Sequence, residues 1–370
     1  MRGFTLIMVS QLDHFKIQEY LRSLFDGDIE VRSISPLGGM EDVEFVLKDY
    51  GYGTPLLIRF IVDGEPRKLV LGTVRPGGFG HDLMSDRAAI LLWQGSSFNQ
   101  LPKHVHSIDV GGFTGDGLKS IRDVDEVFLL MEYAEGSEYF HDLDRIKETG
   151  EATDLDIMRV KTLASYLSSI HSVKKDDPGY YERRTRELIG HNECIFGLTD
   201  SYPMDHEWIK PTFLAEIEKK CIDWRWKNKV LTQRLSQVHG DFHPFNILFR
   251  EGTDFTVLDR SRGSYGEPAD DLAGLSINFL FWGLLHKEKF TRPFKDLWET
   301  FYSTYLDESG DFEALSVIPP YLSWRALVVG SPVWYPHYSL KIRQTLLRFA
   351  RNVLELDSLD PFNVEKVLGA

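Results

Sequence analysis

Cysteine is almost missing from this chain: Cys194 and Cys221 are the only two in 370 residues, and they form neither a CxxC pair nor a metal-ligand spacing. That excludes a disulfide-stapled scaffold and a cysteine-rich zinc site, and it reads as two reduced thiols in a cytosolic protein. Long apolar runs are missing too. No stretch approaches the roughly 20 residues that cross a bilayer, so no membrane partner is expected. The run FTLIMV near the start is shorter than the core of a secretion signal, and no small-residue cleavage site follows it. The expected location is the cytoplasm. Basic residues are scarce relative to acidic ones, 42 against 56, for a net charge of −14. A general basic surface for nucleic acid is thereby excluded, although a single basic pocket is not. Repeats and low-complexity segments are absent as well.

What is present is enough apolar material for a sizeable core, 42% hydrophobic and 13% aromatic. The length points to two lobes or domains. Ser10 is placed to cap a helix over 10–25. Short β-rich runs follow at 29–35, 43–49, 56–62 and 68–74, each bounded by Gly, Pro or Asp. A helix is expected at 82–96, then strands in VHSIDVGGF and VFLLMEY. Beyond AEGSEY the pattern turns helical, at 154–172, 211–236, 270–286, 293–306 and 338–356. The acidic stretch DLDRIKETGEATDLD reads as a solvated loop and helix end. The class is α+β: an antiparallel sheet lobe with one main helix, then a mainly helical lobe.

One polar knot interrupts the helical half. In QVHGDFHPFNILF, Asp241 sits in a turn between Gly240 and Pro244, where a carboxylate can meet a substrate hydroxyl. Asn246 offers a neutral oxygen. The runs NILF and FTVLD read as two arms of a hairpin that returns Asp259 towards Asn246. Such an oxygen pair suits Mg²⁺, which keeps waters and binds substrate phosphates. A base, a metal-ligand pair and a cleft between lobes are the parts that phosphoryl transfer requires.

HGDFHPFNIL followed by VLDRSRGSYGEPADDLAG resembles the aminoglycoside phosphotransferase and choline kinase family, which has the two-lobed protein-kinase-like fold. LASYLSSIHS at 163–172 and LLMEYAEG at 129–136 fit the same layout. The resemblance spans about residues 30–350. It implies an N-terminal nucleotide-binding lobe over 1–131, a hinge at 132–137 and a catalytic lobe over 138–370. It implies Asp241 as the base or hydroxyl-orienting carboxylate, and Asn246 and Asp259 as metal ligands. His239 and Asp271 support the catalytic loop. Gly38, Gly39, Arg75, Asp86, Glu132 and Tyr133 fall at nucleotide-binding positions, and His243, Arg262 and Trp334 at acceptor-binding ones. The implied cofactors are ATP, with GTP as an alternative, and Mg²⁺. The partner is a small-molecule hydroxyl acceptor: a sugar, an amino alcohol, a nucleoside-like metabolite or an aminoglycoside.

The chain also departs from the family pattern. Gly72 stands where the strand lysine belongs. Arg75, Lys68 or no residue takes its place, and Arg75 needs a bulge to reach the face of Gly72. Two glycine-rich runs, SPLGGMEDVEF and RPGGFGHD, compete for the phosphate-covering loop. Arg260 and Arg262 follow Asp259, either to grip an anionic acceptor or to form internal ion pairs. Trp334, in SPVWYPHY, is either an aromatic platform or core. The insert at 180–203, with its RRTR, falls at the acceptor wall and argues against a polycationic acceptor. Two other readings stay open: a nucleotide-binding pseudokinase with a regulatory partner, and a protein kinase, which the lack of an Ala-Pro-Glu segment disfavours.

Overall fold

Backbone hydrogen bonding explains the front half. The structure is a computed structural model that describes residues 13–37, 55–75, 81, 84–114, 117–120, 126–206 and 209–369. The described residues divide into two compact units at Glu135/Gly136. The first opens with helix α1 (His14–Leu24). Asp13, rather than Ser10, is its cap, because its carboxylate accepts the Lys16 N–H at 2.8 Å. Strands β1 (Ile29–Pro36), β2 (Leu56–Val62) and β3 (Glu65–Gly72) follow. The β2–β3 turn is Asp63-Gly64, both at positive φ, the backbone that matches the twist of a two-residue hairpin. This turn starts β3 at Glu65 and ends it at Gly72, earlier than the expected 68–74. Helix α2 (Met84–Ser97) and strands β4 (Ser107–Thr114), β5 (Gly117–Ser120) and β6 (Glu126–Glu132) complete the unit.

Its sheet runs β1-β2-β3-β6-β4-β5, with every pair antiparallel. The core on one face joins Ile17 and Leu21 of α1 to Ile58, Phe60, Phe128 and Leu130. The expected strand at 43–49 lies outside the described residues, as do Gly38 and Gly39.

In the second unit come β7 (Ser137–Glu138), α3 (Phe140–Thr149), α4 (Asp154–His171), α5 (Pro178–Gly190), α6 (Ile195–Asp200) and α7 (Pro211–Asn228). The small strands β8 (Ser236–Gln237), β9 (Ile247–Phe249), β10 (Phe255–Val257) and β11 (Tyr265–Gly266) follow. Helices α8 (Pro268–Lys287), α9 (Phe294–Ser309), α10 (Pro319–Gly330) and α11 (Leu340–Asn352) end the account. Helix α8 is buried on all sides through Leu284, as its near-continuous apolar sequence demands. The α4 and α9 helices pack together, and α9 and α10 pack on α8.

Two expectations change here. The acidic stretch lies mostly in helices, with only 150–153 between them: α3 ends at Gly150 (φ 74°), and Thr153 with Asp156 forms a capping box for α4. The run expected as one helix over 211–236 ends at Asn228, and Ser236–Gln237 pairs as a strand with β11. The insert at 180–203 forms two helices, α5 and α6, with Asp177 as the cap of α5 and Pro178 opening it.

Candidate active site

The loop between β8 and β9 is pinned at both ends. Val238 N–H bonds the Ser264 carbonyl (3.2 Å), and Leu258 N–H bonds the Asn246 carbonyl (2.9 Å). Gly240 has φ 86°, a backbone that favours glycine, and a Cβ there would come within 3.2 Å of the Arg262 Cβ. His243 then caps a short turn at Pro244–Asn246, its Nδ1 accepting the Phe245 N–H. The β9–β10 hairpin pairs Ile247 with Val257. It carries Asp259 to the side of Asn246, and Asp259 itself takes a left-handed backbone (φ 56°). Aspartate tolerates that conformation better than most residues, yet it is uncommon enough to mark a constrained position.

Asp271, on the first turn of α8, holds this loop from below. Fully buried, it accepts the His239 and Gly240 N–H groups, each at 2.7 Å. Its Oδ2 also takes His171 Nε2 at 3.1 Å, while His171 Nδ1 meets the Tyr305 hydroxyl. Burial alone would raise the pKa of Asp271, but the His171 and His239 contacts outweigh it and hold the carboxyl below its usual range. His239 is buried without charge: desolvation pushes its pKa down to about 4, and its Nδ1 accepts the Asp241 N–H at 3.2 Å.

Asp241 is buried among two arginines and a histidine. Arg325 Nη1 donates to Oδ1 at 2.7 Å, Arg262 Nη2 lies 3.7 Å from the same oxygen, and His243 Nε2 lies 3.5 Å from Oδ2. Burial would raise its pKa; Arg262, His243 and Arg325 together hold it well below the carboxylate range. Arg325 also donates to Asp270 (2.9 Å) and to the Gly240 carbonyl.

Asn246 Nδ2 donates to the Asp241 carbonyl at 3.0 Å, which leaves its Oδ1 as the atom to face a cation. Asp259 adds a half-buried carboxylate. Among the described residues no group of three or more Asp, Glu, His or Cys side chains gathers to hold a metal ion. Two hard oxygen donors fit a Mg²⁺ bound chiefly by water and phosphate oxygens, not an all-protein cage.

The remaining expected residues are spread more widely. Arg260 is fully buried and bonds the Val238 and Ser264 carbonyls, so it serves the fold. Trp334 is half-buried in the irregular segment after α10, whereas its neighbour Tyr335 is buried, and burial with the nearby Asp241 carboxylate opposes ionisation of its phenol. In the first unit, β3 pairs with β2 and β6 without a register shift, so no bulge brings Arg75 into line; it is exposed beyond the strand. A Cβ at Gly72 would lie 3.1 Å from Met131 Cε. Lys68 pairs with Glu135 (3.0 Å) and lies over the Tyr133 ring. The Glu132 N–H is donated to the His106 carbonyl at 3.0 Å. Asp86 is half-buried in the first turn of α2.

Arg325, Asp270 and Glu193 escaped the sequence reading. The signal for Arg325 was there: it is the one charged residue in the otherwise apolar helix PPYLSWRALVVG. A buried guanidinium in such a helix must find anions.

A two-lobed α+β chain with this loop and hairpin has the architecture of the protein-kinase-like phosphotransferases. The chain belongs to the phosphotransferase enzyme family (APH), which it matches over residues 60–306. Among solved structures it is similar to the choline kinase LicA from Streptococcus pneumoniae (16% identity, 93% of this chain and 99% of that one, TM-score 0.48). It is also similar to the aminoglycoside phosphotransferase APH(4)-Ia (16%, 93% and 93%, 0.44) and to an ethanolamine kinase from Plasmodium vivax (13%, 92% and 80%, 0.45). No curated protein sequence matches it.

Proposed function

We propose that this enzyme is a small-molecule kinase that moves the γ-phosphoryl group of ATP to an acceptor hydroxyl. The observation that carries the reading is the loop at 239–246, which holds one buried carboxylate, Asp241, while the adjoining hairpin bonds Leu258, the residue before Asp259, to the Asn246 carbonyl. On this reading Asp241 accepts a hydrogen bond from the acceptor hydroxyl and aims it for in-line attack. Asn246 and Asp259 would hold Mg²⁺, which supplies charge neutralisation at the phosphates. Asp271 and His239 fix the loop backbone. Asp86 and the backbone at Glu132 and Tyr133 are the proposed nucleotide contacts in the first unit.

A second reading, nucleotide binding without transfer, is favoured by Gly72 at the strand-lysine position and by the engagement of Lys68 with Glu135. One experiment separates the two. Mg²⁺-ATP is expected to raise the melting temperature of the wild type and of Asp241→Asn alike. Phosphate transfer across a panel of metabolite hydroxyls is expected for the wild type and lost in the variant. Binding without any transfer supports the second reading, and no nucleotide shift with or without Mg²⁺ refutes both.

A further inference from the structure

Arg262 is a buried guanidinium without a hydrogen bond. Its side chain is 14% exposed, and its Nε and Nη1 are buried with no partner. Among the described residues, the carboxylates of Asp241 and Glu193 approach its Nη2, at 3.7 Å and 3.9 Å. Those distances offset charge but are too long for hydrogen bonds. Its central carbon lies over the Trp324 ring, 4.6 Å from the ring centre, and that of Arg325 lies over the same ring at 4.0 Å.

Two more buried N–H groups nearby lack partners, Arg325 Nε and Arg184 Nε. Arg184 acts electrostatically on the same Asp270 that Arg325 bonds. The unmet atoms of these three arginines are all donors. A ligand that completes them must bring oxygen acceptors, and an amine would bring more donors to a place already short of acceptors. Of the carboxylates around these arginines, Glu187 is matched by Arg183 and Arg184, and Asp270 is bonded by Arg325.

We propose that the acceptor carries an anionic oxygen group, a carboxylate or a phosphate, beside its reactive hydroxyl, and that the unpartnered guanidinium of Arg262 binds this group beside Trp324. The proposal rests on the kinase reading and names its substrate class. A guanidinium fork matches both anions in two parallel hydrogen bonds, which a lysine cannot reproduce.

The test uses the full chain with Mg²⁺-ATP and hydroxyl acceptors in sets that share a skeleton. Glycerate and glycerol 3-phosphate are compared with glycerol and 3-aminopropane-1,2-diol, and serine with ethanolamine. Expected is a higher kcat/KM for the anionic members, the carboxylate and phosphate arms telling which anion is read. In Arg262→Gln that preference is expected to fall by about tenfold to a hundredfold, the value of a charge-assisted pair. Arg262→Lys should recover part of it, while the Mg²⁺-ATP thermal shift stays. A neutral or amino member as the best acceptor overturns the proposal and leaves the kinase reading standing. So does a preference unchanged in Arg262→Gln, or no transfer to any anionic member while Mg²⁺-ATP still binds. Absence of nucleotide binding removes the kinase reading itself, and the proposal with it.

Discussion

Replacing Asp271 with asparagine keeps the shape of a fully buried side chain and removes its charge. In the wild type both carboxylate oxygens accept backbone N–H groups at 2.7 Å, and one also takes His171. An amide offers one oxygen. Its NH₂ must face either the His239 or the Gly240 N–H, donor against donor. One charge-assisted bond is lost, worth about 1.5–3 kcal/mol, and one buried N–H is left unmet, at about 1–3 kcal/mol. The expected destabilisation is therefore about 3–5 kcal/mol. Urea unfolding followed by tryptophan fluorescence reads the right region, since Trp282, Trp298 and Trp324 are all buried in the second unit. The midpoint should fall with an unchanged m-value. Asp357→Asn is the control. That side chain is fully exposed, 3.6 Å from Lys227, so the urea midpoint should stay at the wild-type value. A loss below about 1 kcal/mol in Asp271→Asn would refute the account of the loop as hung from this carboxylate.

Asp259→Asn keeps a residue that tolerates a left-handed backbone but removes a charged oxygen. The Mg²⁺-dependent part of the ATP thermal shift should shrink while any metal-free shift persists; an unchanged Mg²⁺ dependence removes Asp259 as a ligand. His239 yields a pH prediction. Its folded pKa, lowered to about 4 by burial, lies below the unfolded value near 6.5. The unfolded chain thus binds the extra proton between these values, and stability is whole above about pH 6.5 and declines as pH falls towards 4. The contribution is on the order of 3 kcal/mol. In His239→Asn the stability difference between pH 7 and pH 5 should narrow, and an equal difference in both proteins would show that His239 is not buried neutral.

The fold was legible wherever a local signal agreed with the packing. Alternating β-branched runs marked β1 and β2, and the spacing from NILF to FTVLD placed the β9–β10 hairpin and so the approach of Asp259 to Asn246. Boundaries were lost where a side chain decided them. Asp13 caps α1 although Ser10 has the same chemistry, and the Asp63-Gly64 turn moves β3 back by three residues. Helix α3 was hidden because its acidic face reads as solvated loop, whereas Asp142 and Asp156 are each spent on an arginine, Arg159 and Arg145. The contacts of Asp241 were the least legible part. Arg325 stands 84 residues away in sequence, and only the tertiary fold of α10 brings it to the loop.

That arginine bears on what Asp241 does in the proposed reaction. A general base at neutral pH works best with a pKa near 7. Asp241 is held far below that by Arg262, His243 and Arg325, despite its burial. It is therefore a poor reservoir for a proton and a strong, fixed acceptor of a hydrogen bond. Its two oxygens are not equivalent. Oδ1 is occupied by the 2.7 Å bond from Arg325, whereas His243 stands 3.5 Å from Oδ2, beyond a strong hydrogen bond. On the proposed reading, Oδ2 is then the oxygen that takes the acceptor hydroxyl. In a loose phosphoryl-transfer transition state little nucleophile activation is needed, so orientation by a permanently charged carboxylate suffices. Arg325 would act through that carboxylate by fixing which oxygen is presented. Arg262, beside the occupied oxygen and short of partners, is placed to read the group next to the hydroxyl.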